Sequence, residues 1–188
     1  LEDEAHDFLR AYTSLYVSLS TVSAEASWRA VTDVKPEHDG ERVGANKAFA
    51  RFAGDRIIIE TARRLNAKSP PPIERRQLEK VLLAAAESPG TIPEVVAARV
   101  EAESLQASIQ DGFEFQMDGK KVTANDVDAI LSKSKDLEER KKAWLASKEI
   151  GKPLKGGLME LQKLRNAVAR EMGHSSFHAL QVADYDMT

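Results

Sequence analysis

The residues best suited to chemistry lie near the end of the chain. Arg170-Glu-Met-Gly-His174 reads like an H-E-x-x-H zinc string whose first histidine is arginine. That string binds metal because two imidazoles one helical turn apart reach the same ion. A guanidinium stays protonated and cannot ligate. A third ligand further along is also needed, and the 14 residues after His174 hold no Glu. The expected reading is a helix end with an exposed charged pair. A second possibility is Glu171 with His174 and His178, since Glu-x-x-His is half of a di-iron carboxylate site in a helical bundle. A full site needs a second copy, and the only partial one is Asp3-x-x-His6.

The four histidines, His6, His38, His174 and His178, have no Ser or Asp neighbours in a triad pattern. Gly151-Lys152 is not a phosphate loop, because the glycine required five residues earlier is Ala146. Gly156-Gly157 inside a helical pattern permits close backbone approach, and a packing contact is the expected cause. Arg63-Arg64, Glu74-Arg75-Arg76 and Glu138-Glu-Arg-Lys-Lys142 mix signs and read as solvated helix faces with i,i+4 pairs such as Glu138–Lys142. A nucleic-acid surface needs a face of one sign with interleaved aromatics. No catalytic, metal-binding or cofactor-binding residue is assigned from these patterns.

The elements that would carry these residues follow from composition. The chain has 188 residues, 42% of them hydrophobic and 30% charged, with net charge -3. This is a globular balance, rich enough to bury a core and too polar for a membrane span, which needs roughly 18–20 apolar residues in a row. Cysteine is absent, which excludes disulfides, thiolate nucleophiles and cysteine-based zinc sites. Aromatics are only 6%, and the Ala-, Leu- and Val-rich remainder favours helix. The start at Leu1 rather than Met leads us to expect a mature form or a fragment.

Apolar residues at Ala5, Phe8, Leu9, Tyr12, Leu15, Tyr16, Leu19 and Val22 form one stripe of a long helix over Glu2–Val31, which Trp28 and Val31 extend. Pro36 breaks it. A second helix is expected over Glu37–Ala67 through Phe49, Phe52, Ile57 and Leu65, paired antiparallel with the first. Ser69 and Pro70-Pro-Pro72 make a stiff connector into a third helix over Pro72–Glu87, with Leu78, Val81, Leu82 and Ala85 facing in. Pro93 opens a fourth that reaches Gln110. The period then changes: Phe113–Met117 alternates, and Asp118-Gly119 before Lys120–Val122 signals a β-hairpin. Thr123 or Asn125 caps a short helix to Ser132. Another spans Asp136–Ile150, with Leu137, Ala143, Trp144 and Ser147 on one side and Gly151 as its stop. From Pro153 a helix runs to Met172 through Leu154, Leu158, Leu161, Leu164 and Val168. Gly173-His174 marks a break, and Ser175 or Ser176 caps a last helix ending near Asp184. The expected fold is all-α, about seven helices with one small β-hairpin at 113–122, in a single domain over 1–188.

Asp128, Ile130-Leu131, Ser134, Asp136, Ala143-Trp144, Gly151-Lys-Pro-Leu154, Leu161 and Leu164-Arg-Asn166 resemble the angiotensin-converting-enzyme family of zinc peptidyl-dipeptidases, its bacterial members especially. Phe8-Leu9, Tyr12, Ser27-Trp28 and Thr32-Asp-Val34 resemble the family's opening helix. The resemblance implies an N-terminal, non-catalytic portion whose long first helices form a lid over the active-site channel. The family's H-E-M-G-H helix, third glutamate ligand and transition-state residues fall downstream of the matched region. The resemblance thus implies no cofactor in this chain and zinc in the full-length protein. It implies peptide as substrate, the catalytic half or a second copy as partner, and a periplasmic or secreted location. The arginine that helps hold chloride in many animal members falls near Val182, so chloride activation is not expected. A stand-alone helical module that binds protein or peptide without catalysis is the alternative, and a metal-binding bundle through Glu171, His174 and His178 is a third reading.

Overall fold

The computed structural model describes residues 2–33 and 35–185, with side chains for residues 4–33, 35–38, 40–110, 112–183 and 185. Among these the elements are α1 (Glu2–Thr32), α2 (Pro36–Ala53), α3 (Arg56–Ala67), α4 (Pro72–Ala85), α5 (Pro93–Asp111), β1 (Phe115–Met117), β2 (Lys120–Val122), α6 (Ala124–Lys133), α7 (Leu137–Lys148), α8 (Gly151–Glu171) and α9 (Phe177–Asp184). The all-α expectation with one hairpin holds. Two compact units form, one from Leu1–Val96 with Arg165–Thr188, the other from Ala97–Leu164.

In the first unit α1 and α2 pair. Tyr12 stacks on Phe52 at 5.4 Å and Tyr16 meets Phe49 edge-on at 5.1 Å. Ser23 Oγ donates to Asn46 Oδ1 at 2.6 Å, and Arg29 bridges Glu41 at 3.1 Å. Partners on α2 fall in number as those on α1 rise, so the pair is antiparallel, as expected. The apolar stripe is only partly used. Ala5, Leu9, Tyr12 and Ala30 are buried, but Leu15, Val22, Trp28 and Val31 are exposed at 54, 55, 71 and 69%. Their assignment to the core is corrected: α2 together with α3 and α4, which meet α1 at Leu9 and Tyr12, covers less of α1 than its apolar residues span.

The helix expected over Glu37–Ala67 is two helices. Gly54 ends α2, and the Asp55 carboxylate accepts from the Ile57 N–H at 2.7 Å to cap α3. The break follows from a backbone crossing. Gly90 N–H donates to Gly54 O at 2.7 Å, and a Cβ on Gly54 would lie 1.9 Å from the Ser88 carbonyl oxygen. The restart rotates the apolar face, so Ile57 is exposed and Ile59 is fully buried. Two apolar clusters result. Leu9, Tyr12, Ala62, Leu65, Leu78 and Val81 form one, while Ile59, Ala85, Ala86, Ala169, Met172 and Leu180 form the other.

In the second unit β1 and β2 pair antiparallel, Met117 opposite Lys120, around Asp118 and Gly119 at φ 52° and 74°. Both positive φ values match a two-residue type I′ turn. Thr123 caps α6 in a capping box with Asp126, and Asp136 caps α7. Gly151 opens α8 instead of stopping α7, which ends at Lys148. Lys142 reaches Asp118 at 2.8 Å rather than the expected Glu138, so it ties α7 to the hairpin turn. Gly157 does allow close approach: a Cβ there would lie 1.8 Å from Nε2 of the buried Gln106 on α5. Leu158, expected in the core, is about half exposed.

Two carboxylates make part of this stability depend on acid. Hydrogen bonds from Lys68 and Arg64 hold the Glu4 carboxyl below its ordinary 4.5, and those from the hydroxyl and backbone of Thr123 hold Asp126 below 3.8. Each group binds protons more weakly when folded. Its contribution is therefore complete above the unfolded value and is lost as pH falls through the lowered one. Melts at pH 6, 4 and 3 should show a decline below about pH 4.5. That decline should flatten in the E4Q/D126N double variant; an equal slope in both proteins would refute the assignment.

Candidate functional site

The string Arg170–His174 sits where α8 stops. Gly173 takes φ 88°. The Gly173 N–H donates to Arg170 O at 3.0 Å, and the His174 N–H donates to Ala169 O at 2.9 Å. These two bonds and the left-handed glycine make a Schellman cap. His174 lies beyond the helix, so a spacing of four no longer places residues 170 and 174 on one face. Arg170 is exposed and His174 half-buried.

Glu171 is engaged elsewhere. Arg63, projecting from α3, bridges its carboxylate at 3.1 Å and also donates Nη2 to its backbone oxygen. The same nitrogen lies 3.8 Å from Met172 Sδ. Arg63 thereby fastens the end of α8 to α3 through a charge-assisted, forked contact. This pairing was missed in the sequence, because nothing local joins residues 108 positions apart.

The proposed ligand set does not assemble. His178 is exposed on α9. His174 lines a cavity of about 250 Å³ with Arg76, Lys80, Leu83 and Met172. His6 is exposed on α1, and the side chain of Asp3 lies outside the described residues. His38 is at the start of α2, its Nδ1 2.7 Å from Asp33 O. Among the described residues no three His, Asp or Glu side chains are grouped so as to hold a metal ion. Lys152, of the Gly-Lys pair, bonds the Glu149 carboxylate.

A larger cavity, about 620 Å³, opens in the first unit among α1, α4 and α9. Leu9, Tyr12, Val81 and Leu180 give it an apolar floor, with Arg76, Lys80 and Glu87 around them. Tyr12 is 7% exposed, and its hydroxyl has no hydrogen-bond partner. Burial pushes its proton affinity up, so the phenol stays neutral and serves packing rather than acid–base chemistry. The arrangement offers a shaped apolar recess and no nucleophile–base pair. No helix among the described residues is long and apolar enough to cross a membrane.

Comparison with known proteins gives one family. The model of peptidase family M2, described as angiotensin-converting enzyme, matches residues 1–188. No curated protein matches the chain.

Proposed function

The chain belongs to the angiotensin-converting enzyme family of peptidases, and from that premise we propose that it is a non-catalytic, N-terminal helical part of a zinc-dependent peptidyl-dipeptidase, gating the channel to the active site. Family membership implies zinc in full-length members, and the residues that come nearest to a ligand set here do not fit it. Glu171 is held by Arg63 and His174 is the second residue beyond a helix cap, whereas catalytic zinc takes three protein donors and an open water position. No chemical step is therefore assigned to this chain. The location that fits the reading is periplasmic or secreted.

The observation that carries the gating role is the outer face of α1. At about 100° per residue Val17, Trp28 and Val31 fall within about 60° of one another, all three are more than half exposed, and an apolar face of that kind marks a surface that meets another one. A lid turned toward a channel uses such a face to exclude bulky substrates and bulk water. The cavity among α1, α4 and α9 supports the second reading, a stand-alone module that binds peptide without cleaving it.

Two measurements test this. The isolated chain is expected to release no dipeptide from a short peptide, with or without added zinc; zinc-dependent release would overturn the reading. Joined to a catalytic segment of the family, residues 1–188 should restrict long peptides more than short ones. In that joined protein W28A/V31S should relax the length discrimination with zinc content unchanged. Unaltered discrimination would remove the gating role and leave the binding-module reading.

A further inference from the structure

In the second unit α7 is packed inside out. It buries its small residues, Ala143 at 0% and Ala146 at 6% exposure, and displays its large ones. Leu137, Trp144 and Leu145 are 70, 51 and 50% exposed. At 100° per residue the same outward face carries Arg140, Lys141 and Lys148. Lys148 Nζ stands 5.3 Å over the Trp144 ring, and no carboxylate among the described residues lies within salt-bridge reach of the three cations. By contrast Lys142, on the flank of the helix, is neutralised by Asp118.

We propose that the outer face of α7 docks an acidic, amphipathic helix of a protein partner. An exposed Trp flanked by Arg and aliphatic side chains is the composition of an interface centre. The unneutralised cations around it require carboxylates on the occupant. An anionic membrane is the poorer match. A surface-lying helix needs a broad continuous apolar face; α7 has 12 residues, and Glu138 and Glu139 occupy its first turn. This inference stands on α7 alone and is independent of gating by α1.

The test uses the full chain carrying W28F, which leaves Trp144 as the sole tryptophan. It is titrated with a synthetic helical peptide of Leu anchors flanked by Glu, with the same peptide carrying Lys for Glu, and with vesicles of phosphatidylserine and phosphatidylcholine. The Glu peptide should shift Trp144 emission to the blue and saturate. K141E/K148E, with its helical content confirmed by circular dichroism, should bind that peptide at least about tenfold more weakly. Equal binding of the Lys peptide, a shift with vesicles alone, or no shift with any probe would each overturn the proposal.

Discussion

Replacing Gly54 with alanine is expected to destabilise the first unit by about 2–3 kcal/mol, the upper part of the range for overpacking. Its φ of −91° is open to any residue, so the demand for glycine is one of space. The new methyl would meet the Ser88 carbonyl oxygen at 1.9 Å and the Ala50 oxygen at 3.2 Å. Both are backbone atoms, and no side chain can swing aside. Relief requires separating the α2–α3 joint from the turn that holds the fully buried Pro89, which breaks the bond from Gly90 N–H to Gly54 O. Gly156→Ala is the control. Nothing lies within 4 Å of its added carbon, and alanine inside a helix gains up to about 1 kcal/mol over glycine. Urea unfolding of both variants checks the pair; equal and small shifts would show that the crossing yields easily.

Leu78→Ala is expected to cost about 3 kcal/mol or more, as large-to-small changes in cores do when the site cannot collapse. Leu78 is 0% exposed and packs in the cluster that joins Leu9 and Tyr12 of α1 to Ala62 and Leu65 of α3. The other five buried members of the cluster, Val81 included, are all fixed on helices, so the space it would leave is not readily filled. The two tryptophans divide between the two compact units, Trp28 in one and Trp144 in the other. W28F and W144F backgrounds thus follow each unit separately. The transition sensed by Trp28 should move to lower urea, with a smaller movement at Trp144. A reversed order would mean that Leu78 does not stabilise the unit that contains it.

What could be read from the sequence was local. Asp118-Gly119 is a complete instruction for a tight hairpin, and Thr123 and Asp136 cap the helices they precede. Prolines 36, 72 and 93 begin helices as their geometry allows. Errors arose where distant chain decides. The break at Gly54 is set by Ser88 and Gly90, and its glycine looked like any other within a helical pattern. Periodicity showed that α1 and α7 carry apolar side chains. It did not show which faces find a neighbour, so Trp28, placed on the packing stripe of α1, lies outside, and Leu137 and Trp144, placed on one side with Ala143, are exposed where Ala143 is buried.

The region of the metal-like string was legible in one respect. Glycine followed by a half-polar tail is a stop signal, and Gly173 delivers it. The partner of Glu171 was not legible, because Arg63 arrives from another helix. The family likeness, carried by scattered residues over the whole length, agreed with the match over residues 1–188.

The cap at Gly173 bears on how short motifs are interpreted. A regular expression measures rungs along a ladder, and its letters translate into positions in space only while the ladder continues. Between Arg170 and His174 the winding reverses hand. A histidine pair at this spacing wholly inside a helix would point at one ion, whereas here the spacing joins an arginine to a histidine past the helix end.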